Sequence, residues 1–289
     1  MKGTLYVVAT PIGNAGDITD RAKLILREAD MVAAEDTRCV KKLFGILGIN
    51  NKAVSNHKFN ERRQVEYLLA QLERGKNIAL VSDAGTPCVS DPGGVVVNAA
   101  AERGINVVSV CGASAVTAAL SVCGFHLGSF AFYGFLPKET NGIRKAIESA
   151  RKGAAAASVF FESPKRIKRS LKVFDEEAPE SELCLCNDLT KMFERIYRGR
   201  PGRILSELCD NPSAEKGEYT LVANLGVAPE APADRCQSYE AMLADHISKN
   251  SCSLKEAVSA LADANKGAVS KKELYNAALN LKAAISGDK

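Results

Sequence analysis

The 289-residue chain lacks several features that would sort it quickly. No stretch reaches the roughly 18 consecutive apolar residues of a membrane-crossing helix, so none is expected. The first apolar run, Leu5–Ala9, is too short for the core of a secretory signal and leads into a turn rather than a cleavage site. A cytoplasmic protein is expected. The nine cysteines never form C-x-x-C, and the three histidines (His57, His126, His246) show no ligand spacing. Cys184 and Cys186, two apart, share one face of a strand. The expectation is small, reduced, buried thiols and no structural metal. No G-x-G-x-x-G follows the first apolar run and no G-x-x-x-x-G-K-[ST] occurs, which disfavours a standard dinucleotide site and a P-loop NTPase. Net charge is only +4, but ten Lys/Arg against three Glu lie between Lys138 and Lys172. Such a stretch is ordinarily a solvated helix face, and it is also what an anionic polymer seeks.

What is present is the balance of a globular protein, 46% hydrophobic and 25% charged, with length for about two domains. Short apolar runs alternate with helical periodicity. Strands are expected at Leu5–Ala9, Met31–Ala34, Asn77–Ser82 and Asn106–Val110. Helices are expected over 18–29, near Gln64–Arg74, over Val95–Arg103 and after Ala115. Alternation of this kind implies a mostly parallel sheet. A second set follows Gly124, with strands at Phe130–Phe135, Ser158–Phe161, Glu182–Asp188 and Tyr219–Leu225. Its helices are expected at Ile143–Arg151, Pro164–Phe174 and Arg203–Asp210. Val227–Asp234, rich in Pro and Ala, reads as a linker. Beyond it, Tyr239–Ser248 and two capping boxes, Ser253-x-x-Glu256 and Ser270-x-x-Glu273, predict three short helices for packing, dimerisation or RNA contact. The expected division is 1–116, 117–227 and 228–289.

Four distinctive loops of the first set fall at the C-terminal ends of strands: Thr10-Pro-Ile-Gly-Asn14, Glu35-Asp-Thr-Arg38, the segment from Ser82 to Gly94, and Cys111-Gly-Ala-Ser-Ala115. Ligands of open α/β sheets bind at that edge, where backbone N–H groups and helix N-termini converge. The Ser82–Gly94 loop offers Asp83 and Asp91 and no cation. Acid-rich loops suit ribose hydroxyls or an ammonium better than a triphosphate, and S-adenosylmethionine carries a ribose, an ammonium and a sulfonium.

Together with Gly112-Ala-Ser-Ala115, Gly134-Phe-Leu-Pro137, Glu162-Ser-Pro-Lys-Arg166, Leu189-Thr-Lys191 and Gly217-Glu-Tyr219, these loops resemble the signatures of the (cytidine-2′-O)-methyltransferases of small-subunit ribosomal RNA. That branch belongs to the tetrapyrrole-methylase superfamily, and the likeness covers essentially the whole chain. It implies two α/β domains, S-adenosyl-L-methionine in the cleft between them, a small helical C-terminal region, a homodimer, and 16S rRNA of the small subunit as substrate. It maps donor contacts onto Pro11, Asp83, Ala84, Gly85, Thr86, Ser114 and Ala115, with help around Phe161–Glu162. Two positions depart from the family pattern. Lys165 stands where His is usual, and the cluster after Gly134-Phe-Leu-Pro137 is diluted to Lys138-Glu-Thr-Asn-Gly-Ile-Arg144.

A ribose 2′-hydroxyl is a weak nucleophile, so alignment and removal of its proton are the chemical demands. Lys191 is the first candidate for base or for support of the developing oxyanion, followed by Glu162 and Asp36. Arg38, Lys165, Arg166 and Arg195 are the candidates for phosphate contact. Each has a plainer reading: Lys191 and the arginines as surface charges, Asp36 as a partner of Arg38, Asp83 and Ser114 as turn and cap residues. Competing functions are methylation of a tetrapyrrole or other small acceptor on the same fold, a non-catalytic RNA-binding factor, and a nucleotide hydrolase.

Overall fold

The computed structural model describes residues 1–226, 239–250, 252–264 and 271–286. They fall into two compact units, Met1–Ala228 and Pro229–Lys289.

The first unit contains two five-stranded sheets. Strands β1 (Thr4–Val8), β2 (Met31–Ala34), β3 (Ala53–Ser55), β4 (Ile78–Val81) and β5 (Asn106–Val110) pair in the order β3-β2-β4-β1-β5, all parallel. Every residue of β2 and β4 is buried, as expected for parallel strands covered on both faces. Alternate side chains feed two cores. Val32, Ala34, Ala79 and Val81 meet α1 (Asp20–Glu28) and α2 (Thr37–Leu47) through Ala22, Leu26, Val40 and Phe44. Met31, Ala33, Ile78 and Leu80 meet α3 (Glu61–Glu73) and α4 (Gly94–Glu102) through Leu68, Leu69, Leu72, Val96 and Ala100. The strands at 5–9, 31–34, 77–82 and 106–110 stand where the pattern put them. Helix α2 and strand β3 were not in that reading. Val40, Leu43, Phe44 and Leu47 nevertheless hold the i, i+3, i+4, i+7 spacing of an amphipathic helix in α2, whereas β3 has only three residues.

The second sheet runs β6-β7-β10-β8-β9, from β6 (Phe130–Phe135), β7 (Ala157–Glu162), β8 (Glu182–Asn187), β9 (Arg195–Gly199) and β10 (Tyr219–Asn224). Only β6 and β7 are parallel; the other pairs are antiparallel. Strand β9, polar and short, was the unexpected member. Helices α6 (Thr140–Lys152), α7 (Ile167–Glu177) and α8 (Pro201–Cys209) cover one face through Ile143, Ile147, Leu171, Phe174, Ile204 and Leu208. Helix α5 (Ala115–Val122), which follows β5 of the first sheet, packs Val116, Ala119 and Leu120 against Cys184, Cys186 and Val222 on the other face. The two sheets are thereby held to one another. Cys184 and Cys186 are fully buried with their sulfurs 3.9 Å apart, in the apolar surroundings their spacing suggested.

The second unit holds α9 (Tyr239–Asn250), α10 (Leu254–Ala264) and α11 (Lys271–Ser286) around Leu243, Ala257, Val258, Leu274 and Ala277. The first capping box is formed: the Glu256 carboxylate accepts from the Ser253 backbone at 2.8 Å, and Glu256 N donates to Ser253 Oγ at 3.4 Å. The linker read at Val227–Asp234 and the cap residue Ser270 lie outside the described residues. Among the described residues no helix is long and apolar enough to cross a membrane.

Candidate active site

The four loops rich in Gly, Pro and Asp leave β1, β2, β4 and β5, which are contiguous in the sheet, so they meet on one edge. Hydrogen bonds between them fix the edge. Thr10 and Gly85 exchange backbone bonds of 2.9 and 3.0 Å, and Asp83 Oδ1 accepts the Asp36 N–H at 3.0 Å. Cys88 (φ 69°) and Ser90 (φ 67°) hold left-handed backbone without being glycine, a strain tolerated where surroundings over-determine a functional turn.

These loops form one wall of a cleft of about 520 Å³, with Asp83, Ala84, Gly85, Thr86, Ser90, Asp91, Ser114 and Ala115 on it. The facing wall comes from the second sheet and its loops: Phe135, Phe161, Glu162, Ser163, Pro164, Cys186, Leu189 and Tyr219. Among the described residues, five carboxylates line the cleft (Glu35, Asp83, Asp91, Glu162, Glu218) and no Lys or Arg does. Burial is the main cause that raises Glu35, Asp83 and Asp91 above the ordinary carboxylate range, and the charge of Asp83 adds to it at both Glu35 and Asp91.

A second recess of about 320 Å³ adjoins the cleft, sharing Ile12, Asp83, Ala84 and Glu218 with it. Its wall is apolar (Pro11, Val40, Leu43, Ile46) with Lys42 and Lys191 as its cations. Lys191 Nζ donates to Asp188 Oδ1 and Glu218 Oε2, both at 2.8 Å. Burial alone would lower its pKa, but the two hydrogen-bonded carboxylates outweigh that and raise it, so Lys191 is an ammonium. Gly13 lies against this lysine: a Cβ there would stand 2.5 Å from Lys191 Cγ and 3.0 Å from the Leu189 carbonyl oxygen. The close approach of the two loops requires glycine.

Of the donor contacts expected from the sequence, Asp83, Ala84, Gly85, Thr86, Ser114 and Ala115 line the cleft together with Phe161 and Glu162, while Pro11 lines the recess. Glu162 is fully engaged. It takes a 2.5 Å ion pair from Arg166, a 2.5 Å hydrogen bond from Ser170 Oγ and one of 2.6 Å from Ser163 N. That arrangement fixes the Glu162–Arg166 turn. Asp36 lies outside both cavities. It caps α2 through Arg38 N at 2.7 Å and pairs with the Arg38 side chain, which holds its carboxyl down at about 2. Arg38 and Arg166 are thus already paired, whereas Lys165 and Arg195 are exposed with no side-chain partner among the described residues. Part of the basic 138–172 stretch is likewise neutralised, Arg144 by Glu176 and Glu177 at 3.1 and 2.8 Å.

Glu61 was absent from the sequence reading. Its carboxylate, 9% exposed, accepts Gly93 N at 2.8 Å and Val95 N at 3.2 Å, capping α4 just where the Ser82–Gly94 loop ends. No local pattern marks it, because its partners lie more than thirty residues away.

A family model described as tetrapyrrole (corrin/porphyrin) methylases matches residues 4–204. The chain is 44% identical over 224 residues to a Leptospira biflexa protein named ribosomal RNA small subunit methyltransferase I, covering 77% of this chain and 91% of that one. An Escherichia coli protein of the same name is 38% identical over 256 residues, covering 88% and 89%. A solved uroporphyrin-III C-methyl transferase from Thermus thermophilus, complexed with S-adenyl homocysteine, superposes with a TM-score of 0.53 at 18% identity, over 77% of this chain and 97% of that chain.

Proposed function

The chain belongs to the tetrapyrrole (corrin/porphyrin) methylase family, and from that membership we propose that it transfers the methyl group of S-adenosyl-L-methionine to the ribose 2′-hydroxyl of a cytidine in 16S rRNA of the small ribosomal subunit. The observation that carries the reading is the pair of contiguous cavities. A carboxylate-lined cleft without Lys or Arg adjoins a recess that ends at an ammonium, and relatives named for methylation of small-subunit ribosomal RNA share most of the chain.

The cleft fits the donor. Its volume lies within the usual range of about 300–1,000 Å³ for small-ligand pockets, and its carboxylates match a cationic ligand bearing ribose hydroxyls. Asp83 and Asp91 accept from hydroxyls or ammonium, while Ala84, Gly85, Thr86, Ser114 and Ala115 supply small side chains and backbone polar groups. The bound donor supplies a methyl group already activated as an electrophile.

The acceptor ribose enters from the recess, against Pro11 and Ile12. Lys191, protonated and held from two sides, stabilises the negative charge that grows on the ribose oxygen. Its protonation removes it from the part of proton acceptor, and the 2′-hydroxyl proton passes to Glu218, the carboxylate that lines both cavities, as the oxygen takes the methyl group. Glu162 positions the loop after β7 through its three hydrogen-bonded partners, and Asp36 fixes the start of α2. Lys165 and Arg195 carry free charges for phosphate contact, while Arg38 and Arg166 order their own loops. A homodimer working on subunits in the cytoplasm completes the proposal.

The test is transfer of labelled methyl from S-adenosylmethionine to purified small subunits lacking the modification, followed by identification of the nucleoside. A 2′-O-methylated cytidine is the expected product. Tight donor binding without transfer to subunits or naked RNA overturns the assignment.

A further inference from the structure

The turn that carries Lys191 presents two highly exposed apolar side chains, Met192 at 90% and Phe193 at 75%. Exposure of that degree is ordinary on a loose loop, but this turn is tightly held. Asp188 (φ 51°) and Thr190 (φ 67°) are left-handed without being glycine. Thr190 N donates to Glu194 Oε2 at 2.5 Å, Glu194 N to the Lys191 carbonyl at 3.1 Å, and Asn14 N to Thr190 Oγ1 at 3.1 Å. The turn's acids are spent on these internal contacts, Asp188 on Lys191 and Glu194 on Thr190. Arg195 is left with a guanidinium that has no partner among the described residues. Across the recess, Lys42 lines the rim beside Ile46, itself 69% exposed, and Lys41 is exposed next to it.

A fixed turn with bare apolar tips, free cations on either side and a ribose-sized recess behind it matches unstacked nucleic acid. A nucleotide inside a structured RNA reaches an enclosed site only after leaving its stack. Unpaired RNA bases are held by stacking on aromatic side chains, and apolar wedges fill the steps they leave. Resting on the proposed methylation of ribosomal RNA, we propose that Phe193, with Met192 beside it, is the base-stacking element that keeps the target cytidine out of its stack, while Lys191 on the same turn meets its ribose. The two side chains act on the RNA and not on the donor, since neither lines the donor cleft.

The experiment compares Phe193→Ala, Phe193→Tyr and the Met192→Ala/Phe193→Ala double variant with the unaltered protein. Unmodified small subunits are the substrate. kcat/KM, the donor Kd by calorimetry and the mass by sedimentation equilibrium are the readouts. Phe193→Ala is expected to lower kcat/KM for subunits about tenfold or more, the scale of one lost base–aromatic stack. Phe193→Tyr restores it, and donor Kd and mass stay unchanged. Full activity of the double variant overturns the inference. So does a loss of activity that tracks a halved mass, which would make the tips a contact between two copies of the chain. If the unaltered protein itself methylates no subunits, the underlying assignment has failed. An active parent with an equally active double variant refutes the stacking element alone.

Discussion

Removing the Glu61 carboxylate is expected to loosen the donor loop from a distance. Glu61→Ala leaves the buried Gly93 N–H with no acceptor and the partly buried Val95 N–H with water at best. An orphaned buried donor costs about 1–3 kcal/mol, and the lost anion at the start of α4 adds roughly 0.3–1 kcal/mol through the helix dipole. The expected destabilisation is therefore about 1.3–4 kcal/mol. At roughly 2–4 °C per kcal/mol for a domain of this size, that lowers Tm by about 3–16 °C. Because Gly93 closes the loop that carries Asp83 and Asp91, the variant should also weaken the donor Kd. Glu61→Gln keeps an acceptor oxygen and loses the charge, so it should fall in between. Denaturant titration read beside calorimetry with S-adenosylmethionine checks both effects. A Glu61→Ala protein within about 0.5 kcal/mol of the parent refutes the cap's energetic role, since that is the scatter of inconsequential surface changes. A destabilised protein with an unaltered donor Kd refutes its link to the loop.

Lys191→Met should cut kcat by about a hundredfold or more, the usual effect of removing one oxyanion donor, with donor Kd little changed in calorimetry; an unchanged kcat removes Lys191 from the chemistry. The carboxylates Asp83 and Asp91, ordinarily near 3.8, and Glu35, near 4.5, are all raised in the folded protein. Their stabilising contribution is therefore complete below those ordinary values and is lost as pH climbs through the raised ones. A cationic donor prefers the ionised cluster, so its affinity should rise with pH across that window, and Asp83→Asn should flatten the rise; a pH-independent Kd contradicts this. Gly217→Ala should lower both Tm and kcat, because φ is +82° there and the new Cβ would stand 2.1 Å from Asp188 Oδ2, displacing a partner of Lys191; methyl transfer at the parental rate in this variant would show that the Asp188 contact is dispensable.

The first sheet was legible because each of β1, β2, β4 and β5 is an apolar run that ends in a loop of Gly, Pro or Asp. The same loops pointed to the cleft proposed to hold the donor, since strand ends in a parallel sheet share one edge. What escaped was everything set by tertiary pairing. Strand β9 has only Ile196 and Tyr197 as apolar residues, and it exists through its ladder with β8. Helix α5 directly follows the last strand of the first sheet, yet it packs on the second. Arg166 belongs to a basic run and reads as an RNA contact until Glu162 is seen at 2.5 Å behind it. Glu61 is one acid among many on an amphipathic helix, and only folding brings the Gly93 N–H to it.

Charge is divided between the two cavities in a way that composition conceals. A net of +4 spread over the chain suggests a mildly basic surface, but the larger cleft gathers five carboxylates and, among the described residues, no Lys or Arg. The neighbouring recess admits two lysines, and one of them is bound by two acids. Were Lys191 unpaired, its ammonium would repel a cationic donor a few residues away and, half-buried, would tend to lose its proton. In the proposed reaction Asp188 and Glu218 prevent both, so the cation serves the acceptor side without spoiling the donor side. Glu218 lines both cavities and is the residue through which that compromise is made. Under the proposed function the charges for RNA phosphates lie outside the cleft, on Lys165, Arg195, Lys41 and Lys42, where they do not compete for the acids proposed to hold the donor.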